Sequence, residues 1–225
     1  VIPVLGIPYM SRSDLFTEMI MSIDFPVQDI IIIDNSGGDT CPQIEGAHHV
    51  KMPHNMGVAW AWNTIIKSFP TAAWWTICNA DIKFAPGDLE KLYRAMQDHS
   101  FTLLNSMAAF GVSRECIEKV GWFDEASFIP AYCEDNDFVY RARLVGVDPH
   151  FVQAGFAHFG SATIKSDPHL RDENNRTYHQ NVKEYTRKWG GMMHEEVFKT
   201  PYDKGGSPRD CLTVSIAELA ARSWK

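Results

Sequence analysis

Two acidic segments about fifty residues apart carry side chains suited to chemistry: Asn79-Ala80-Asp81 after an aromatic, apolar run, and Glu134-Asp135-Asn136-Asp137 opening a helical pattern. A hard divalent cation, Mn or Mg, prefers oxygen ligands, and Asp81 with Asn79 could hold one where it bridges two phosphates. The plainer alternative is a turn that closes a strand, since Asn and Asp both favour turns. In the second segment, acids of a first helical turn also complement the helix dipole and cap free N–H groups. Asp137 stands four residues before Arg141, the spacing of a surface ion pair. At roughly 100° per residue, Asp135 and Asp137 point to nearly opposite sides of a helix, so one of them can face a crevice, and Asp135 is the freer. A carboxylate there could take the proton of an attacking hydroxyl as a general base.

These side chains can meet only if the chain between them forms an alternating sheet whose strand ends and helix starts gather on one edge. The pattern predicts that sheet. Val1 to Ile7 reads as a buried strand, followed by a helix with Leu15, Phe16, Met19, Ile20 and Ile23 on one face and Ser11 or Ser13 as its N-cap. Asp29 to Ile33 is a second strand running into the turn formers Asp34 to Asp39, and His48 to Met52 is a weaker third. Val58, Trp62, Ile65, Ile66 and Phe69 have helical spacing between Gly57 and Pro70. Ala73 to Cys78 is a fourth strand, and a helix started by Pro86 and Asp88 follows it. Phe101 to Phe110 reads as one strand, Ser113 caps a short helix to Val120, Glu134 to Val145 is helical, and Phe151 to Phe159 is a last strand. Tyr178, Val182, Tyr185 and Trp189 mark a late helix face. Repeated β-α units imply a mostly parallel sheet in one α/β domain over 1–203. From Lys204 a linker-like Gly-Gly-Ser-Pro stretch leads into a 204–225 tail, where Ser215 and Glu218 form a capping box.

Composition narrows the partners. A chain of 225 residues that is 45% hydrophobic can bury one substantial core. A formal net charge of -7 without a long Lys/Arg run argues against a nucleic-acid groove. A phosphate-bearing ligand then needs local compensation from backbone N–H groups or a cation. The five cysteines are scattered with no CxxC pair, which predicts neither disulfides nor a zinc ribbon and fits a reducing compartment. No apolar run approaches the roughly 18 residues of a membrane span, so the expectation is a cytoplasmic protein with no transmembrane segment.

Further candidates follow strand ends. Asp34 could accept the N–H of uracil or thymine, or simply form an Asx turn. His158 ends an apolar run and could ligate Mn. Asn55-x-Gly57 precedes a helix whose small residues permit close packing. Six of the seven tryptophans (Trp60, Trp62, Trp74, Trp75, Trp122 and Trp189) could serve a core or a sugar-stacking surface, and Trp122, in a loop, is the one expected to be exposed.

Taken in order, the motifs resemble those of GT-A glycosyltransferases, specifically the inverting, rhamnosyltransferase-like branch, over about residues 1 to 190. Val1 to Tyr9 is similar to that family's first strand and following loop, Ile33-Asp34-Asn35-Ser36 to its base-binding strand end, and Asn55-x-Gly57-x-Ala59-x-x-x-Asn63 to its N-x-G helix start. Asn79-Ala80-Asp81 stands where the family has D-x-D or N-x-D. Gly121-Trp122-Phe123-Asp124-Glu125 followed by Glu134-Asp135-x-Asp137-x-x-x-Arg141 resembles its most specific signature, and Lys188-Trp189-Gly190-Gly191 is similar to the end of such enzymes. The resemblance implies transfer of a sugar from a nucleoside diphosphate, of UDP or dTDP type, to a glycan hydroxyl with inversion. It implies nucleotide binding by Pro8, Tyr9, Asp34, Asn35, Asn55, Gly57, Asn79 and Ala80, and Mn or Mg on Asp81 and His158. Asp135 would be the base, and Trp122, Asp124 and Glu134 would meet the acceptor. Asn79 supplies an uncharged amide, which predicts that the cation binds together with nucleotide. The rival readings are a sugar-nucleotide nucleotidyltransferase, disfavoured because no basic residue precedes Arg12, and a noncatalytic sugar-binding domain of the same fold.

Overall fold

The computed structural model of the protein describes residues 1–38, 40–159 and 168–209. Its centre is a seven-stranded sheet in the order β3-β2-β1-β4-β7-β6-β8. The strands are β1 (Ile2–Tyr9), β2 (Val27–Asp34), β3 (His48–Lys51), β4 (Trp74–Cys78), β6 (Phe101–Leu104), β7 (Ser106–Ser113) and β8 (His150–Val152). Strands β1 to β4 run parallel, and β7 pairs antiparallel with both β4 and β6. A small second sheet joins β5 (Ile82–Lys83) to β9 (Ala157–His158).

Helices cover both faces: α1 (Ser13–Met21), α2 (Val58–Ser68), α3 (Asp88–Asp98), α4 (Arg114–Val120), α5 (Glu134–Leu144) and α6 (Pro168–Trp189). Strands buried on two faces should be apolar throughout, and every residue of β4 is buried. One core packs α2, α4 and α5 on the sheet through Ile65, Trp62, Phe123 and Phe138. The other packs α1 and α3 through Phe16, Met19, Leu89 and Leu92. Spacing of β1 and α2 depends on Gly6, where a methyl would overlap the Ile65 side chain.

The parallel half follows the sequence expectation closely. Two later details and one helix start differ. The segment from Phe101 is a hairpin rather than one strand, because Asn105 turns the chain at φ 58 while its side chain bonds the backbone N and O of Ala154, each at 2.9 Å. The expected strand from Phe151 breaks into β8 and β9, because the buried Asp88 carboxylate takes the Gly155 N–H at 3.0 Å and pulls the chain out of the sheet. Helix α1 starts without a serine cap: Arg12 occupies the N-cap position at φ 62, and its guanidinium grips Asp14 instead. Ser113 does cap α4, accepting the Cys116 N–H at 3.1 Å. The capping box expected at Ser215 and Glu218 lies outside the described residues.

Candidate functional site

The carboxyl ends of β1, β2 and β4 and the start of β7 open onto one cavity of about 400 Å³. This is where an α/β sheet characteristically binds ligands. Pro8, Tyr9, Asn35, Asn55, Asn79, Ala80, Asp81, Glu134, Asp135 and His158 all line it. Residues fifty positions apart in sequence therefore share one space.

Each wall has a local cause. Tyr9 ends β1, and its hydroxyl donates to the Thr40 carbonyl at 2.9 Å. Asn35 follows β2; its amide donates to the Gly57 carbonyl at 3.2 Å, while its Oδ1 accepts the Met56 N–H at 3.4 Å. Gly57 sits at φ 97, a backbone region that suits glycine, and a side chain there would press on the Pro130 carbonyl 3.1 Å away. Gly57 thus shapes the site without lining it. Asp34 also stays off the wall: its Oδ1 accepts from the Ser36 N–H at 3.0 Å and hydroxyl at 2.6 Å, an Asx turn.

The turn from β4 to β5 carries Asn79-Ala80-Asp81, anchored by the Asn79 N–H on the Ala108 carbonyl at 2.8 Å. Pairing of Ile82 with His158 across β5 and β9 sets the imidazole beside Asp81, with Nε2 3.3 Å from Oδ1. The hydrogen bond to Asp81 raises the His158 pKa, against a smaller opposing effect of burial. One hard oxygen and one imidazole nitrogen fit Mn or Mg, because adjacent ligands of an octahedral ion with bonds of about 2.1 Å lie about 3 Å apart. Among the described residues no group of three or more His, Cys, Asp or Glu could hold a metal alone. Phosphate oxygens and water would have to complete the shell.

Helix α5 supplies the opposite wall. Asp135 is partly accessible through the cavity yet surrounded by protein, and that desolvation raises its pKa. Its Oδ1 accepts from the Asn136 N–H at 2.8 Å and side-chain amide at 2.9 Å. Glu134 is buried, and its Oε2 has no hydrogen-bond partner. Burial, and then the neighbouring Asp135, push its pKa well up.

Asp137 behaves differently from the expected surface pair with Arg141. Both side chains are buried, at 0% and 1% exposure, because α4 and α6 close over that side of α5. Asp137 accepts from Arg141 Nε at 2.8 Å, Trp189 Nε1 at 2.9 Å and Lys188 Nζ at 2.6 Å. Lys188 also reaches Asp124 at 2.7 Å. Burial alone would raise the Asp124 pKa, but the charge and hydrogen bond of Lys188 bring it down to about 2.

Two further expectations are corrected here. Trp122 is 3% exposed rather than open, with the Lys67 ammonium 5.3 Å from its ring, and Arg141 fixes its carbonyl at 2.8 Å. Asp124 is committed to Lys188 and to the N–H groups of Ala126 and Ser127, each at 3.0 Å. The Gly121 to Glu125 loop is an internal brace, tied further by Asn63, whose amide bonds both the N–H and carbonyl of Phe123 at 3.0 and 2.9 Å. Wall residues not singled out from sequence include Met107, Ala108, Pro130, Ala131 and Tyr132. The last three lie just before the acidic motif, and proximity to it was the available signal.

The model of glycosyl transferase family 2 matches residues 17–145. The chain belongs to that family, whose members transfer sugars, and its α/β domain has the GT-A fold. A galactofuranosyl glycosyltransferase of Leishmania donovani is 33% identical over 113 residues, 48% of this chain and 24% of that protein. The chain thus spans about a quarter of that relative's length. Among solved structures, the mannosyltransferase PcManGT from Pyrobaculum calidifontis, in complex with GDP-Man and Mn2+, aligns over 98% of this chain and 80% of its own, with a TM-score of 0.53 and 14% identity. S. aureus TarS 1-349 in complex with UDP aligns over 83% and 66%, with a TM-score of 0.54 and 12% identity. These similarities are of fold. Among the described residues no helix is long and apolar enough to cross a membrane.

Proposed function

We propose that this chain transfers a sugar from a UDP- or dTDP-type nucleotide donor to a glycan hydroxyl, with inversion and assistance from Mn or Mg. The observation that carries the reading is the shared cavity: Asp135 faces the same space as Asp81 and His158. Tyr9, Asn35 and Asn55 line its nucleotide side, and the backbone around Asn79 and Ala80 lies beside the diphosphate. Asp81 and His158 would hold the cation, which neutralises charge developing on the departing diphosphate. Asp135 accepts the proton of the acceptor hydroxyl as the oxygen attacks the anomeric carbon from the face opposite the leaving group, so a single displacement inverts the centre. The raised pKa of Asp135 makes it a better proton acceptor than an exposed aspartate. Family membership supports sugar transfer; UDP in one structural neighbour and GDP-Man with Mn2+ in another support a nucleoside diphosphate donor and a divalent cation.

The test is incubation with a panel of nucleotide sugars in Mn, including a galactofuranosyl donor because of the Leishmania relative, with slow donor hydrolysis as the readout. Hydrolysis of a UDP or dTDP sugar that a chelator abolishes is expected. Full activity in chelator removes the metal, and absence of hydrolysis across the panel removes the transferase.

A further inference from the structure

Asp135 needs an acceptor hydroxyl brought to it, and the tryptophan expected to stack on that sugar is buried. The cavity wall offers another ring. Three aromatic residues with six-membered rings line it: Tyr9, Trp62 and Tyr132. Tyr9 is buried at the nucleotide side, with its hydroxyl committed to Thr40. Trp62 is packed edge-on between Phe110 and Phe123, 5.2 and 4.9 Å away. Tyr132 alone of the three remains partly open, and it stands three residues before Asp135.

The chain goes to some length to hold that ring there. Tyr132 and Cys133 are consecutive non-glycine residues in the left-handed region, at φ 80 and 74. Side chains at such angles are strained and persist only where the surroundings fix them. Fixing comes from two sides. Helix α2 begins on the loop, with the Val58 N–H on the Pro130 carbonyl at 2.8 Å. From α6 the buried Asn181 amide lies 2.8 Å from the Ala131 carbonyl and 3.3 Å from that of Tyr132. The half-exposed Tyr178 packs perpendicular to Tyr132, with ring centres 5.3 Å apart, and continues the aromatic surface outward.

We propose that Tyr132 is the acceptor platform: the C–H face of the acceptor sugar packs on its ring, presenting a hydroxyl to Asp135, with Tyr178 meeting the next sugar of a glycan. Sugar rings carry such faces, and tyrosine combines a flat apolar body with a polar tip. The assignment rests on the transferase reading, but it can fail separately.

The probes are methyl and octyl glycosides of mannose, galactose, glucose, rhamnose and galactofuranose, added to the 225-residue chain holding UDP and Mn. Binding is followed by saturation-transfer NMR, and UDP affinity by calorimetry. Tyr132→Gly removes the ring while suiting the left-handed backbone, Tyr132→Ala repeats the truncation, and Tyr132→Phe keeps the ring. Saturation of at least one glycoside by the native protein is expected, weakened at least tenfold in Gly and Ala, retained within about threefold in Phe, with UDP affinity unchanged in all. The proposal is overturned if the native protein saturates none of the glycosides, if the Gly variant binds them normally, or if UDP affinity falls in step. Glycoside binding through Tyr132 without hydrolysis of any nucleotide sugar would sink the transferase reading and with it the acceptor role, leaving Tyr132 as a sugar-binding ring only.

Discussion

One turn of helix α5 carries carboxylates in two opposite conditions. Asp135 and Glu134 face the cavity with few partners, and Glu134 Oε2 has none. Asp137 faces inward and is satisfied by an arginine, a lysine and an indole N–H. A carboxylate held by buried cations and an indole N–H is a good anchor; desolvation without such partners raises the pKa of Asp135 and Glu134. Phase sets Asp135 apart from Asp137, about 160° round the helix, whereas Glu134 lies within about 60° of Asp137 and differs from it in its neighbours.

The largest expected effect is on Asp135. Asp135→Asn keeps shape and most hydrogen bonding but cannot take the proton, so transfer should fall by roughly 10² to 10⁴ while donor affinity and melting temperature barely move. Near-normal transfer to a true acceptor would erase the distinction between the two faces. On the inner face the pattern should invert. Lys188→Met leaves Asp124 and Asp137 buried without their shared ammonium and should cost about 3–5 kcal/mol in denaturant unfolding. A loss below about 1 kcal/mol would mean the network is not a brace.

Glu134 sharpens the comparison through pH. Its folded pKa lies above its ordinary value of about 4.5, so the protonated form is the one the fold favours. Its stabilising contribution is present below about pH 4.5 and is lost as pH rises through the folded pKa. Glu134→Gln should therefore gain stability relative to the native protein on going from about pH 4 to about pH 8, as thermal melts would show. A difference that stays flat with pH would mean Glu134 ionises normally. The smallest effect is expected from Asp34→Ala, which should weaken UDP binding several-fold through the Asx turn next to Asn35 and leave the fold intact. Unchanged calorimetric affinity would take Asp34 out of the nucleotide site altogether.

The parallel half was legible because each element there obeys a local rule: apolar runs for β1, β2 and β4, helical spacing for α2, turn formers at each strand end. Convergence of Asp81 and Asp135 followed from that topology, whereas His158 arrives through the separate β5–β9 pair, where the sequence pattern reads β8 and β9 as one strand. Less visible was anything decided by distant partners. Asn105 and Asp88 look like ordinary polar residues, yet they divide what read as single strands by bonding backbone 49 and 67 residues away. The Asp137–Arg141 spacing reads equally well on a surface or in a core, and Lys188, from α6, decides it. Trp122 lay in a loop, but that loop is pinned by Asn63 and Arg141.

The missing side chain at Gly6 bears on how the cavity could be reshaped. Ile65 occupies the space a methyl would need, about two turns along α2 from Val58, whose N–H holds the loop carrying Tyr132. One carbon atom added at Gly6 would lift that helix like a shim under a beam and displace the wall at its far end. Paired trimming of Ile65 would make room for it, offering graded adjustment of cavity width from positions outside its lining.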